Sequence, residues 1–422
     1  MELRLKYGRE ELAAEIPDRN VLNTVLPNEG PGVEDPLAAV REALENPIGS
    51  PRLGEIVFRK KPRKVAIVVN DVTRPTPYEY ILPPLLEELH GAGVQEEEVV
   101  FVIATGIHRG HTPEENRRIF GTELVERYRF VNHNAEDEDN LTSLGTLSDG
   151  SELRINREVA EADMVITTGL IGLHYFAGYS GGRKSILPGV AAKDQITRNH
   201  ARMTDPRATT GNYEDNPVHW IMVEAARKAG VDFIVNVVTN SRKEIVAAVA
   251  GELEEAWLAG VKICREMSVV EIPGPADVVI AGAGGFPKDI NVYQAQKALD
   301  NAAPAVRPGG TIILVAQCSE GYGEDTFEEW IRSARKLEDI FERFERQFVL
   351  GGHKAFAIAR VVKEKEVVLV SDLNREDTER LFFTYASSLE DALKYVEKKH
   401  GRDYQALVMP QAGLVLPVVA DS

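Results

Sequence analysis

Cysteine is nearly absent: Cys264 and Cys318 are the only two in 422 residues. Two thiols cannot build a disulfide framework or a thiolate metal cluster. Any bound metal must therefore be held by histidine or by a cofactor. Long apolar runs are missing too. No stretch reaches the ~18 uninterrupted apolar residues of a membrane helix. The opening segment from Met1 to Pro17 is charged throughout and lacks the apolar core of a secretion signal. Cations are scarce relative to acids, 49 Lys and Arg against 66 Asp and Glu, for a formal net charge of −17. Such a surface argues against nucleic acid or an anionic membrane as the main partner, although one site can still be locally basic. No internal repeat and no low-complexity tract is present. A cytoplasmic enzyme is the class these absences leave.

What is there is ordinary globular material. Hydrophobic residues at 43% and charged residues at 27% exclude a disordered chain and supply more than one core. Short β-branched runs read as buried parallel strands: Lys64 to Asn70, Val99 to Ala104, Asp163 to Thr168, Phe233 to Val238, Asp277 to Ala281, Thr311 to Ala316 and Val367 to Ser371. Helices alternate with them. Tyr78 to His90 is closed by Gly91, Thr112-Pro113-Glu114-Glu115 is a capping box, and Asn216-Pro217 opens another helix. The segment to Pro51 is rich in turns and reads as a surface wrap. Glu271-Ile272-Pro273-Gly274-Pro275 is the best linker in the chain. The expected fold is α/β: two domains with mostly parallel sheets and an active-site cleft between them. The N-terminal, catalytic and cofactor-binding domain takes residues 1–270 and the C-terminal α/β domain residues 276–403. The tail, residues 404–422, could return to either.

In open α/β sheets, ligands bind beyond the carboxyl ends of the strands. Three strands end in polar chemistry: Asn70-Asp71-Val72-Thr73-Arg74, Thr105-Gly106-Ile107-His108-Arg109-Gly110-His111, and Thr168-Gly169-Leu170-Ile171-Gly172-Leu173-His174. Any one could merely cap a helix or solvate a loop. Together they bring Asp, Arg and His to one edge, as an acid-base site would. His111 precedes the helix cap and reads as structural. His133 sits among acidic residues and reads as a solvated surface group. His90, His219, His353 and His400 have no converging polar neighbours in the sequence.

Phe176-Ala177-Gly178-Tyr179-Ser180-Gly181-Gly182-Arg183-Lys184-Ser185 looks like a phosphate loop, but Arg183 stands where that pattern needs glycine. Its glycines still permit close backbone approach, and Arg183 and Lys184 offer cationic donors to a phosphate. A desolvated Lys184 could also react as a nucleophile. A solvated glycine-rich loop is the competing reading. Ala281-Gly282-Ala283-Gly284-Gly285-Phe286-Pro287 follows a strand like a dinucleotide fingerprint, with Pro287 in place of the last glycine. Tyr293, Gln294 and Lys297 begin the next helix, where a carboxylate could bind. His200 lies on a helix, and its spacing from His174 matches no zinc pattern. These residues alone name no reaction. They leave open a nicotinamide-dependent oxidoreductase and a solute-binding module.

At the residues His174 to Gly189, with Asp71 to Pro75, Thr105 to His108, Asn199-His200, Tyr293-Gln294 and Lys297, the sequence resembles the nickel-pincer lactate racemase family over essentially its whole length. The resemblance implies a racemase or epimerase of lactate-like 2-hydroxy acids. The implied reaction is reversible hydride transfer to a nickel-pincer nucleotide through a 2-keto acid. That cofactor is pyridinium-3-thioamide-5-thiocarboxylic acid mononucleotide, expected covalently attached at Lys184. His200 matches the protein ligand of the nickel, and His108 and His174 match the paired acid-base histidines. Asp71, Ser180, Gly181 and Gly182 fall around the cofactor. Arg74, Tyr293, Gln294 and Lys297 fall around the substrate. Partners implied are the small 2-hydroxy acid and the enzymes that synthesise the cofactor.

Overall fold

A computed structural model describes residues 1–420. The chain divides into two compact units, Glu29–Met267 and Met1–Asn28 with Ser268–Ser422. Among the described residues, no helix is long and apolar enough to cross a membrane.

The Glu29–Met267 unit is built on a six-stranded sheet. Its spatial order is Ile245–Gly251, Val231–Thr239, Met164–Ile171, Val65–Asn70, Val99–Ala104 and Arg129–Asn132. All neighbours are parallel except the pair Ile245–Gly251 and Val231–Thr239. The central strands are apolar on both faces because helices cover both. Val65, Ala66, Ile67, Val68 and Val69 are fully buried, and Val65, Ile67 and Val69 pack with Ile81, Leu82 and Leu85 of the helix Tyr78–Gly91. The capping box forms as its residue types require. Glu115 N–H donates to Thr112 Oγ1 at 3.2 Å, and Thr112 N–H donates to Glu115 Oε2 at 2.9 Å.

The second unit carries another six-stranded sheet, all parallel, in the order Thr384–Ala386, Glu366–Val370, Val306–Val315, Ala276–Gly282, Ala406–Met409 and Val21–Thr24. Here the structure departs from the sequence reading at the N-terminus. The first 28 residues do not wrap the N-terminal domain. They form the hairpin Glu2–Tyr7 with Glu10–Glu15 and an edge strand of the C-terminal sheet. Leu3, Leu5, Ala14 and Ile16 alternate inward and pack on Val278, Ile280 and Ile313. The tail also belongs to this unit: Ala406–Met409 lies beside Ala276–Gly282, and Leu416–Val419 pairs with Val269–Ile272.

Candidate active site

Three loops at the carboxyl ends of Val65–Asn70, Val99–Ala104 and Met164–Ile171 supply the site. In the first, Asp71 is buried and takes the Thr73 N–H at 3.1 Å and the Thr73 hydroxyl at 2.6 Å on Oδ1. Its Oδ2 lies 2.6 Å from His108 Nδ1. Burial raises the Asp71 carboxyl. The bonds from His108 and Thr73 and the charges of His108 and Arg74 win, and hold it below the usual aspartate value. Asp71 thereby fixes the proton of His108 on Nδ1 and leaves Nε2 as the basic nitrogen. The exposed His108 ring is placed by a turn in which Gly106 takes φ +56° and His108 N–H donates to Thr105 O at 2.9 Å.

His174 sits in a two-residue hairpin, Leu173–His174 against Gly178–Tyr179. Gly178 is obligatory there: its φ is +75°, and a methyl group would lie 2.2 Å from Asn212 O. Ala177 N–H donates to His174 Nδ1 at 3.3 Å, and Lys184 Nζ lies 3.2 Å from His174 Nε2. Lys184 is half-buried over the Phe176 ring, 5.6 Å from its centroid. Burial, then the charges of Arg183 and Arg74, push its amine well below the ordinary lysine value. His200, on the helix Lys193–Ala201, points Nδ1 at Ile196 O at 2.9 Å and packs edge-on to Phe176 at 5.0 Å. Burial first, then the charges of Lys184 and His108, push it down to about 3. A neutral imidazole with its proton on Nδ1 offers Nε2 to a metal. Among the described residues, no group of three or more His, Cys, Asp or Glu is placed to hold a metal.

The residues between these groups serve as scaffold. Ser180 Oγ donates to Leu170 O at 2.8 Å and accepts Gly172 N–H at 2.9 Å. Gly182 N–H donates to Asn236 Oδ1 at 2.8 Å. A methyl at Gly181 or Gly182 would run into Ile171 or Trp257, at 2.7 and 2.9 Å. Both glycines are thus required by packing.

In the other unit, the helix Val292–Ala302 is capped by Asn291, whose side chain accepts Gln294 N–H at 3.0 Å. Lys297 Nζ donates to Gln294 Oε1 at 3.0 Å, and Tyr293 lies half-buried, 5.2 Å from Lys354 Nζ. The glycine loop before it is closed. Phe286 N–H donates to Gly8 O at 2.7 Å, Gly8 N–H donates to Asp289 Oδ2 at 2.6 Å, and Arg9 covers Phe286 at 4.2 Å. The chain's own N-terminal hairpin occupies the place a dinucleotide would need.

Comparison with known proteins decides the family. The family model described as the lactate racemase N-terminal domain matches residues 7–211, and that described as the C-terminal domain matches residues 271–416. A lactate racemase of Thermoanaerobacterium thermosaccharolyticum is 37% identical over 426 aligned positions, covering 98% of each chain. The chain belongs to the lactate racemase family. A lactate racemase of Lactiplantibacillus plantarum is 33% identical over 96% of this chain and 97% of that one. The solved apoprotein of the T. thermosaccharolyticum lactate racemase superposes with a TM-score of 0.93 at 35% identity, over 99% of this chain and 100% of that one. A Thermotoga maritima protein at TM-score 0.64 and 21% identity shares the fold alone. As a lactate racemase family member, the chain is an isomerase. The oxidoreductase and solute-binding alternatives fall with that assignment.

Within the family's N-terminal domain, the structure brings Asp71, Arg74, His108, His174, Lys184 and His200 into one electrostatic neighbourhood. Two expectations fail. His133 is buried and bonded to Ala191 O at 2.9 Å, and burial pushes it down to about 4. Arg183 is also buried, with its guanidinium taken up by backbone carbonyls and by His219, which sequence reasoning left without a role. His111 is structural as expected, accepting Val72 N–H on Nε2 at 2.7 Å.

Proposed function

We propose that this chain racemises a small lactate-like 2-hydroxy acid using a nickel-pincer nucleotide tethered at Lys184. The carrying observation is the clustering of a carboxylate-oriented His108, a His174 bonded to Lys184, and a His200 whose Nδ1 is held by Ile196 O. When bound, the nucleotide supplies a reversible hydride acceptor, and the donors that complete a nickel site with His200. A half-buried amine with lowered basicity suits Lys184 to a covalent link.

His108, held by Asp71, takes the hydroxyl proton of one enantiomer at Nε2 as that substrate becomes a 2-keto acid. His174, on a separate hairpin, holds the proton for the other. Arg74 neutralises the substrate carboxylate. Two general bases on different elements suit a reaction that must treat both hands alike. The family relatives named for lactate support the substrate class. The test is the protein made together with cofactor-synthesis enzymes. Nickel, an added mass lost in Lys184→Ala, and interconversion of pure L- and D-lactate on a chiral column are the expected results. An active enzyme with no adduct overturns the tether, and no turnover of any chiral 2-hydroxy acid overturns the activity.

A further inference from the structure

The loop that carries His108 also carries His111, and both imidazoles grip the same neighbouring loop. His108 Nδ1 lies 2.6 Å from Asp71 Oδ2, and His111 Nε2 accepts Val72 N–H at 2.7 Å. The loop after Val65–Asn70 is thus held at consecutive residues, through the Asp71 side chain and through the Val72 backbone. The peptide between them sets where the Asp71 carboxylate points. Thr73 fixes the other carboxylate oxygen, and Arg74 N–H closes the turn on Asp71 O at 3.0 Å.

His111 is anchored for that one bond. A backbone amide can only donate, so His111 Nε2 is an acceptor and the ring proton resides on Nδ1. Asn116 Oδ1 takes that proton at 2.9 Å, from the helix Pro113–Phe120. The ring is buried and stacks on Phe120, with centroids 6.1 Å apart. One amide locks the backbone on both sides: His111 N–H donates to Asn132 Oδ1 at 2.9 Å, and Asn132 Nδ2 donates to His111 O at 3.1 Å. The helix start needs none of this, because Thr112, Pro113 and Glu115 already complete its cap.

We infer that His111 is a positioning residue for the reaction: by holding the Val72 amide it keeps the Asp71 carboxylate on His108 Nδ1, and so keeps His108 Nε2 the basic nitrogen. The inference rests on the role proposed above for His108. An imidazole with no partner at Nδ1 carries its proton mostly on Nε2, where it would face the substrate as a donor and not as a base.

The first measurement needs neither cofactor nor substrate. The full chain, with nitrogen-15 in its histidines, is read by long-range proton–nitrogen correlation at about pH 8.5, where an ordinary imidazole is neutral. The signals missing from His108→Ala are those of His108. In wild type, Nδ1 should resonate as an N–H nitrogen and Nε2 as a bare one. In His111→Leu, which fills the space without an acceptor, the two signals should move toward each other. His111→Gln, whose Oε1 can accept Val72 N–H, should restore the wild-type pattern. Asn116→Ala releases the His111 proton at a half-buried position and should shift the pattern partway. This variant decides if His111→Leu does not fold.

The second measurement uses cofactor-loaded protein and each pure enantiomer at saturating substrate, so that any binding loss through Arg74 drops out. His111→Leu should slow keto acid formation about 10²-fold for the enantiomer that His108→Ala loses, and much less for the other. A merely structural role would slow both alike and leave the nitrogen signals of the folded protein unmoved. Either result overturns the inference, as does a His111→Gln variant that fails to restore the pattern. If the loaded wild type converts neither enantiomer, the proposed activity fails, and the nitrogen signals still decide the role of His111.

Discussion

Two glycine-rich loops follow buried strands in this chain, and both look from sequence like places for a nucleotide. Their fates are opposite. Gly178 to Lys184 closes around a buried arginine and leaves Lys184 half-buried against His174. Gly284 to Lys288 closes around the chain's own Gly8. Glycine permits close backbone approach in both. What approaches is decided by the rest of the fold: Trp257 and His219 at the first loop, the N-terminal hairpin at the second. A glycine run therefore reports that something comes close, without reporting what.

The largest effect expected from this contrast concerns its two lysines. Lys184→Ala should lose both the cofactor adduct and racemisation, while Lys288→Ala should keep both. Intact mass and chiral chromatography on cofactor-loaded protein give the answer. Within the first loop's neighbourhood, His108→Ala should lower racemisation roughly 10²–10⁴-fold, the usual cost of a positioned base. An adduct on Lys288→Ala that is missing, or activity in Lys184→Ala, would erase the distinction between the loops.

A matched pair of glycine substitutions comes next. A methyl at Gly182 would lie 2.9 Å from Trp257 Cδ1, and one at Gly285 would lie 2.9 Å from Lys6 Cβ, both at positive φ. Each Ala variant should lose about 1–3 kcal/mol of stability by overpacking and backbone strain. Only Gly182→Ala should also lower the yield of the cofactor adduct at Lys184. Urea unfolding with intact mass of cofactor-loaded protein separates the two outcomes, and a lowered adduct yield in Gly285→Ala would show that the loops are not independent.

The third test uses pH. His219 and His133 are buried, with values pushed down to about 3 and about 4, below the ordinary 6.5. Below pH 6.5 the unfolded chain binds protons that the folded chain refuses, so stability falls as pH falls toward those lower values. Between pH 7 and pH 5 each should contribute a loss of about 1–2 kcal/mol. His219→Gln should flatten that acid slope, measured by chemical denaturation across the range. An unchanged slope would mean that His219 is protonated in the folded state, and that its bond with Arg183 is not the one described.

Much of this was legible in sequence because it is local. Runs such as Val65–Asn70 and Val99–Ala104 announce two-sided burial, and Thr112 with Glu115 announces its own helix start. The strand-end loops announced Asp71, His108 and His174 for the same reason. What could not be read is non-local. Val21–Thr24 pairs with Ala406–Met409 across nearly the whole chain, and nothing near residue 21 names that partner. Arg183 and Lys184 are adjacent cations of similar appearance. Only Trp257 and His219, far along the chain, turn Arg183 inward, while Lys184 stays half-buried beside His174. His133 follows the strand Arg129–Asn132 and turns inward to Ala191, although acidic neighbours suggested solvent.

The smallest expected effect compares two arginines lying over aromatic rings at nearly the same distance, Arg183 on Trp257 at 4.0 Å and Arg9 on Phe286 at 4.2 Å. Distance alone would make them equal. Arg183 is buried and donates to three carbonyls, each of which keeps a second donor, so its removal costs the lost hydrogen bonds, about 0.5–1.5 kcal/mol each. Arg9 is exposed, and Phe286 remains 46% exposed beneath it. Water screens such a contact, which leaves about 0.5–1 kcal/mol. Arg9→Ala should therefore lower stability by about that amount and leave the Lys184 adduct unchanged. The second loop should also stay shut, because its closure rests on the backbone bonds of Gly8 with Phe286 and Asp289. Hydrogen exchange at the Phe286 amide measures this directly. Exchange there that accelerates more than the small loss of global stability allows would show that the arginine, and not the hairpin backbone, keeps the second loop closed.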